Sequence, residues 1–314
     1  MKKTCIMLGD ELAEYHFGIQ HPFGPKRYWA FKKEFEKRSL CEKSQIHTPS
    51  CASEEQLKLF HAEDYIEKVK TLSATGNGYL DQGDTPARKG IFEAASVVVG
   101  TTLKAADLTM TTCQQAFTPI AGLHHATQQS AAGFCVFNDC GIAIEYLRHK
   151  HNIKRIAYID IDAHHGDGVF YSFESDKELI FVDLHQDGRT LYPGTGDVME
   201  TGKGEAAGSK LNIPLQPGCT DETAMKFWEA AEHFINKAQP EYILLQCGAD
   251  SLDNDPITQL SLSASFHQFV ANRLSKLAHK HCQGRLLAMG GGGYNLENIK
   301  AAWNGVIEGL SDHS

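Results

Sequence analysis

The sequence predicts an α/β fold built on a mostly parallel sheet with helices on both faces. Three observations carry this. Short apolar runs alternate with helical patterns along the whole chain. The clearest run, YILLQC from Tyr242 to Cys247, has the near-continuous hydrophobicity of a strand buried on both faces. The runs end in glycine or in clustered Asp and His, where open α/β sheets place their sites. No linker, repeat or low-complexity tract divides the chain, so residues 1–314 read as one domain.

Taken in order, Thr4 to Leu8 is a first strand. The apolar run after two lysines breaks at Asp10 and Glu11, too soon for a secretory signal. Pro25 to Lys37 has helical apolar spacing with proline near its start. Ser53 to Phe60 and Ala62 to Leu72 are short helices, the first opened by a Ser-Glu-Glu-Gln capping box. Ala74 to Asp84 is a loop, and Pro86 to Leu108 a helix rich in small residues. Phe117 to Asn138 is irregular and nearly uncharged, which suits a pocket lining better than a surface loop. Asp139 to His149 is a helix, followed by strands at Ile153 to Ile159 and Glu178 to Leu184. Gln186 to Asp197 is a Gly-rich loop, and Leu211 to Leu215 a short strand. Asp221 to Asn236 is a helix with cap chemistry at Thr220. After the Tyr242 strand come a helix at Phe266 to Lys280, a strand at Arg285 to Met289, four glycines, and a closing helix at Leu296 to Leu310.

The composition is that of an ordinary globular protein, 42% hydrophobic and 22% charged. A net charge of −9 counts against direct nucleic-acid binding and favours cationic substrates. No apolar segment approaches membrane-spanning length. The nine cysteines are scattered, odd in number and without a Cys-x-x-Cys pair. They read as free thiols of a reducing compartment, hence the cytoplasm. An oligomer is neither required nor excluded.

The chemistry concentrates in IKRIAYIDIDAHHGDG, Ile153 to Gly168. Side chains alternate along a strand, so Asp160, Asp162 and His164 share one face if the extended geometry persists. Asp oxygens with a His nitrogen suit Zn²⁺ or a similar divalent ion, although a plain polar turn has the same spacing. Other strand ends offer His124-His125, His185, Asp250 and Tyr294. Asp250 serves either as a third ligand or as a helix cap. His124 and His125 line a pocket, each open to orientation by Asp160 or Asp167, or form a solvated pair. Tyr294, after GGGG, is either a phenol donor to a polarised carbonyl or a buried core residue.

The blocks GLHHA, GFCVFND, YIDIDAHHGDGV, LYPGTGD, QCGADSLDNDP and GGGGYN, in that order, resemble the histone deacetylase superfamily. The likeness is to the zinc-dependent deacetylases, including the bacterial acetoin-utilisation type. It runs from about Pro22 to the last helix. It implies an arginase/deacetylase-type fold with a central eight-stranded sheet, and hydrolysis of the N-acetyl amide of acetyl-lysine in proteins or peptides. By the resemblance, Asp162, His164 and Asp250 hold one Zn²⁺. His125 is the general base and acid, oriented by Asp167. His124, paired with Asp160, acts mainly through its charge, and Tyr294 binds the substrate carbonyl. Gly133, Phe134 and Tyr192 wall the acyl-lysine tunnel, with Gly292 and Ile257 also in the substrate site. Asp84 is the rim aspartate that holds the substrate backbone, and Arg27 lies by an internal acetate channel. A structural K⁺ is implied at Asp160, Asp162, His164, Asp183 and Leu184. His165, at an odd position, is given no catalytic role.

The chain departs from the family in places. Tyr192 stands where many relatives have Phe, and Asp183 where Ser is frequent. Ile257 replaces the Glu of polyamine-specific relatives. The alternatives are an acetylpolyamine or other small acetylated amine as substrate, a two-metal ureohydrolase, or a silent acyl-lysine binder.

Overall fold

The computed structural model of the chain describes residues 3–311. Eight strands form a single sheet: β1 (Thr4–Met7), β2 (Ser44–His47), β3 (Gln115–Thr118), β4 (Ile156–Asp160), β5 (Leu179–Gln186), β6 (Lys210–Leu215), β7 (Tyr242–Gln246) and β8 (Leu286–Met289). Their order is β2-β1-β3-β8-β7-β4-β5-β6, and every pairing is parallel. The expectation of a mostly parallel sheet is therefore met in full. Every residue of β4, β5, β7 and β8 is buried, as continuous apolar runs in a doubly covered sheet require.

Among the described residues ten α-helices surround it: α1 (Lys26–Lys37), α2 (Leu40–Lys43), α3 (Glu54–Leu57), α4 (Glu63–Thr75), α5 (Ile91–Thr111), α6 (Asp139–His151), α7 (Asp167–Ser172), α8 (Asp221–Ala238), α9 (Ala264–His281) and α10 (Leu296–Ser311). α5 packs on β1, β3 and β8 with α6 beside it. α8 covers β5 and β6, α9 covers β7 and β8, and α10 lies against α9 and α1. The capping box forms as expected. Ser53 Oγ accepts from Gln56 N, and Gln56 Oε1 accepts from Ser53 N. Among the described residues no helix is long and apolar enough to cross a membrane.

Four sequence expectations need correction. β2 and β3 are strands although SQIH and QAFT carry too few apolar residues to announce them. α5 starts at Ile91, because Pro86 bridges to Tyr79 in the preceding loop. Thr220 makes no side-chain cap bond. Its neighbour Asp221 instead accepts from the backbone and hydroxyl of Ser263. Cys5 and Cys113 are joined in a disulfide, while the other seven cysteines are free. The pairing of β1 beside β3, Cys5 in register with Ala116, brings together two residues 108 apart in the chain. No local spacing reveals that.

The topology positions the site. The adjacent strands β3, β8, β7, β4 and β5 all run the same way, so the segments leaving their C-terminal ends share one edge of the sheet.

Candidate active site

Asp162, His164 and Asp250 are all buried and offer ligand atoms within 4.8 Å of one another. Strand geometry does not place them, since β4 ends at Asp160. Carboxylates take the backbone amides that a ladder would otherwise hold. Asp162 N donates to Asp160 Oδ1, His164 N to Asp162 Oδ1 and Ala163 N to Asp250 Oδ1, each at 3.0 Å. Gln246 Nε2 and Gly292 N donate to Asp162 Oδ2 at 2.8 and 2.9 Å. A Cβ at position 292 would run into Asp250 Oδ2, so only glycine brings this amide close enough.

This donor set fits a divalent cation. Asp250 Oδ2 is buried, lies 3.2 Å from His164 Nδ1, and accepts no hydrogen bond of good geometry. Burial, and then the Asp162 carboxylate, push the Asp250 carboxyl up to about 7. Two buried carboxylates and one imidazole nitrogen within 4.8 Å of one another suit Zn²⁺, and three protein ligands would leave a fourth position for water or substrate.

Beside this cluster the tandem histidines meet through their Nε2 atoms, 3.1 Å apart, while their Nδ1 atoms go to different carboxylates. His124 Nδ1 lies 2.8 Å from Asp160 Oδ2, and His125 Nδ1 lies 2.7 Å from Asp167 Oδ1. That settles the partners the sequence left open. Burial opposes charge on His124, but Asp160 and Asp162 outweigh it and raise its pKa to about 10. Burial, then the charge on His124, lower that of His125. The lowered pKa favours a neutral imidazole at His125, with Nδ1 on Asp167 Oδ1 and Nε2 left to accept a proton. Tyr294 lines the same narrow cavity as His124, His125, Asp162, His164 and Gly292. Burial, and then Asp250, raise its phenol well above the ordinary value, so it remains a donor.

Known proteins resemble the chain in sequence and in fold. A family profile described as "Histone deacetylase domain" matches residues 21–310. The chain belongs to the histone deacetylase family. Acetoin utilization protein AcuC of Bacillus subtilis (strain 168) is 36% identical over 313 residues, which cover 96% of this chain and 81% of that protein. AcuC of Staphylococcus xylosus is 31% identical over 318 residues, 98% of this chain and 82% of that one. The crystal structure of the HDA15 HD domain superposes with a TM-score of 0.91 over 99% of this chain and 90% of that one, at 24% identity. The chain is a deacetylase-family hydrolase.

Of the other expected positions, Gly133 lines the cavity, and Phe134, Tyr192 and Arg27 stand beside residues that do. Gly133 has φ +52°, and a Cβ there would collide with the His125 imidazole. Phe134 is also left-handed, at φ +65°, which costs a non-glycine residue about 1–2 kcal/mol. Its backbone is held by Tyr15 Oη, which donates to Phe134 O at 2.8 Å, and by Thr85 Oγ1, which accepts from Phe134 N at 3.1 Å. The Phe134 ring stands 5.8 Å from that of Tyr294, and the Tyr192 ring 5.2 Å from that of His125. Tyr192 also lines an outer groove of about 730 Å³ with Asp84, Asp81 and Lys68. Arg27 is fully buried, donating to the carbonyls of Gly293 and Gly291 at 2.8 and 2.5 Å.

Some expected groups are not brought to the cavity. Ile257 is half-buried on the loop after Asp250 and lines neither the cavity nor the groove. His185 lies inside β5, where Nδ1 pairs with Asp183 Oδ1 at 2.8 Å and Nε2 with Gly196 O at 3.0 Å. His165 turns to Thr195 Oγ1 at 2.8 Å. Asp160 and Asp183 are register partners on β4 and β5, with Leu184 next in β5. Two supporting residues escaped the sequence reading. Asp139 accepts from Leu123 N at 2.7 Å and from Gly122 N at 3.1 Å, fixing the loop that carries the histidines. Asp255 accepts from Tyr294 N at 2.8 Å. Both aspartates look like ordinary cap or turn residues in sequence.

Proposed function

We propose that the protein is a zinc-dependent deacetylase that hydrolyses the N-acetyl amide of acetyl-lysine in proteins or peptides, releasing acetate. The observation that carries this reading is the buried Asp162, His164 and Asp250 cluster set beside His125, whose Nδ1 is braced by Asp167. Zinc, when bound by those three residues, supplies Lewis acidity toward an amide carbonyl and acidifies water. His125 Nε2 takes a proton from the attacking water and later hands it to the leaving amine. Asp167 keeps the imidazole in the required tautomer. The Tyr294 phenol donates to the carbonyl oxygen as negative charge develops there. Gly133, Phe134 and Tyr192 hold the lysine stem and exclude water, and Asp84 accepts amide hydrogens of the substrate backbone.

A K⁺ is proposed at the carbonyls of Asp162, His164 and Leu184 with the Asp160 and Asp183 carboxylates. The adjacency of these two buried carboxylates supports it. A small acetylated amine is the second reading, favoured by the acidic groove at Asp81 and Asp84. The absence of a carboxylate at Ile257 weighs against a polyamine. The cytoplasm is the proposed location, supported by the seven free cysteines although Cys5 and Cys113 are paired.

The test is acetate release from acyl-lysine peptides and acetylpolyamines, with and without chelator. Acetyl-lysine peptides are expected to turn over and chelator to stop them. Preference for acetylspermidine would install the second reading, and no turnover of any amide would remove both.

A further inference from the structure

The four glycines before Tyr294 are bonded to Thr118, Ala121, Asp162 and Arg27, so the chain beyond the tyrosine decides how firmly its backbone is held. The structure supplies that hold on the far side. Asp255 is buried, and its Oδ2 accepts from Tyr294 N at 2.8 Å and from Asn295 N at 3.2 Å. Its Oδ1 accepts from Ile257 N at 3.1 Å. The segments on either side are tied together as well. Asn295 Nδ2 donates to Asn254 O and Asn298 Nδ2 to Asp253 O, both at 3.0 Å.

The stretch that carries Asp255 begins at the metal-ligand candidate Asp250. Thr258 Oγ1 donates back to Asp250 O at 2.5 Å, closing 250–258 into a ring. One short, internally bonded loop therefore holds Asp250 at one point and the backbone of Tyr294 at another. Arg27 opposes it by donating to the carbonyls of Gly291 and Gly293. Carbonyls are held from one side and amides from the other, which leaves the tyrosine backbone little freedom.

We propose that Asp255 is a positioning residue that sets the Tyr294 phenol relative to Asp250, acting on turnover through Tyr294 alone. The inference rests on the deacetylase reading above and adds a residue to it. A carboxylate that merely supported the fold would act equally whether or not position 294 carried a hydroxyl.

The test is a double-mutant cycle. Asp255→Ala and Asp255→Asn are made with Tyr294 intact and with Tyr294→Phe. kcat, KM and zinc content are measured on an acetyl-lysine peptide. With Tyr294 present, Asp255→Ala is expected to lower kcat by about ten- to a hundred-fold, the scale of a small misplacement of a reacting group. KM should stay within about two-fold and zinc should be retained. In the Tyr294→Phe background the same change should alter kcat by less than about two-fold, because coupled residues do not add. Asp255→Asn keeps one acceptor oxygen and should fall between, and it carries the cycle if the alanine variant does not fold. Equal losses in both backgrounds, or loss of zinc, overturn the proposal. A crystal structure of the Asp255 variant separates this from the parent reading. A displaced phenol supports the proposal and an unmoved one overturns it, even if no acyl-lysine peptide proves to be a substrate.

Discussion

The Nε2 atoms of His124 and His125 lie 3.1 Å apart, so only one of them can supply the hydrogen between them. With His124 charged against Asp160, that hydrogen belongs to His124, and the lone pair belongs to His125. Replacing His125 by Gln is therefore expected to lower kcat by about 10²- to 10⁴-fold, the usual weight of a general base. Zinc content should not change. A variant with near-normal turnover would strip His125 of its role.

Tyr294→Phe removes one hydroxyl and leaves the cluster at Asp162, His164 and Asp250 untouched. Loss of a single oxyanion donor costs about 10²- to 10³-fold in rate, and that is the expected fall in kcat. Steady-state assays beside metal analysis decide it, and a fall below about three-fold would be too small for the role.

Asp250→Asn leaves Ala163 N its acceptor but weakens the carboxylate that faces His164 Nδ1. The variant is expected to purify with well under one zinc per chain. Wild-type protein should unfold at a higher temperature with zinc than after chelation, because a ligand bound only by the folded state stabilises it. Equal melting temperatures in the two preparations would contradict metal binding at this cluster.

Asp84 gives a pH prediction. Burial, and then the neighbouring Asp81 carboxylate, push its carboxyl up to about 6. Above that pH it is ionised and accepts amide hydrogens better. KM for a peptide substrate should therefore fall as pH rises through about 6. Asp84→Asn should remove this step from the KM profile. A step that survives the substitution belongs to another group.

Asp139 supports the histidine loop from below. Its carboxylate takes the buried amides of Gly122 and Leu123 and the Thr102 hydroxyl. Asp139→Ala leaves those donors unpaired, and each costs about 1–3 kcal/mol. Urea unfolding of the variant should show at least that loss. An unchanged midpoint would mean the loop re-pairs its amides elsewhere.

What the sequence disclosed and what it hid divide along physical lines. β4 and β7 were legible because strands covered on both faces must be apolar throughout, and IAYID and YILLQ nearly are. The convergence of Asp162, His164, Asp250 and the tandem histidines followed from parallel strands sharing one edge. β3 stayed hidden because Gln115 and Thr118 interrupt a run of only four residues. The extended reading of Asp160 to His164 failed because the aspartates bend the chain onto their own oxygens. Asp139 and Asp255 serve backbone amides, and no spacing in a sequence tells which amide a carboxylate will find. Cys5 and Cys113 needed the strand order to become neighbours.

That strand order has a consequence for assembly. Among the described residues β8 is the last strand, yet it lies between β3 and β7 and pairs with both. Without it the sheet would be two separate halves, each with an open edge. The first carries the loop of His124 and His125, and the second carries Asp162, His164 and Asp250. The loop of His124 and His125 and the Asp162, His164 and Asp250 cluster are thus joined through β8, whose exit leads to Tyr294. A ribosome-bound chain that stops short of Leu286 lacks the strand that joins the two halves, and the full site is expected to assemble only after β8 is made.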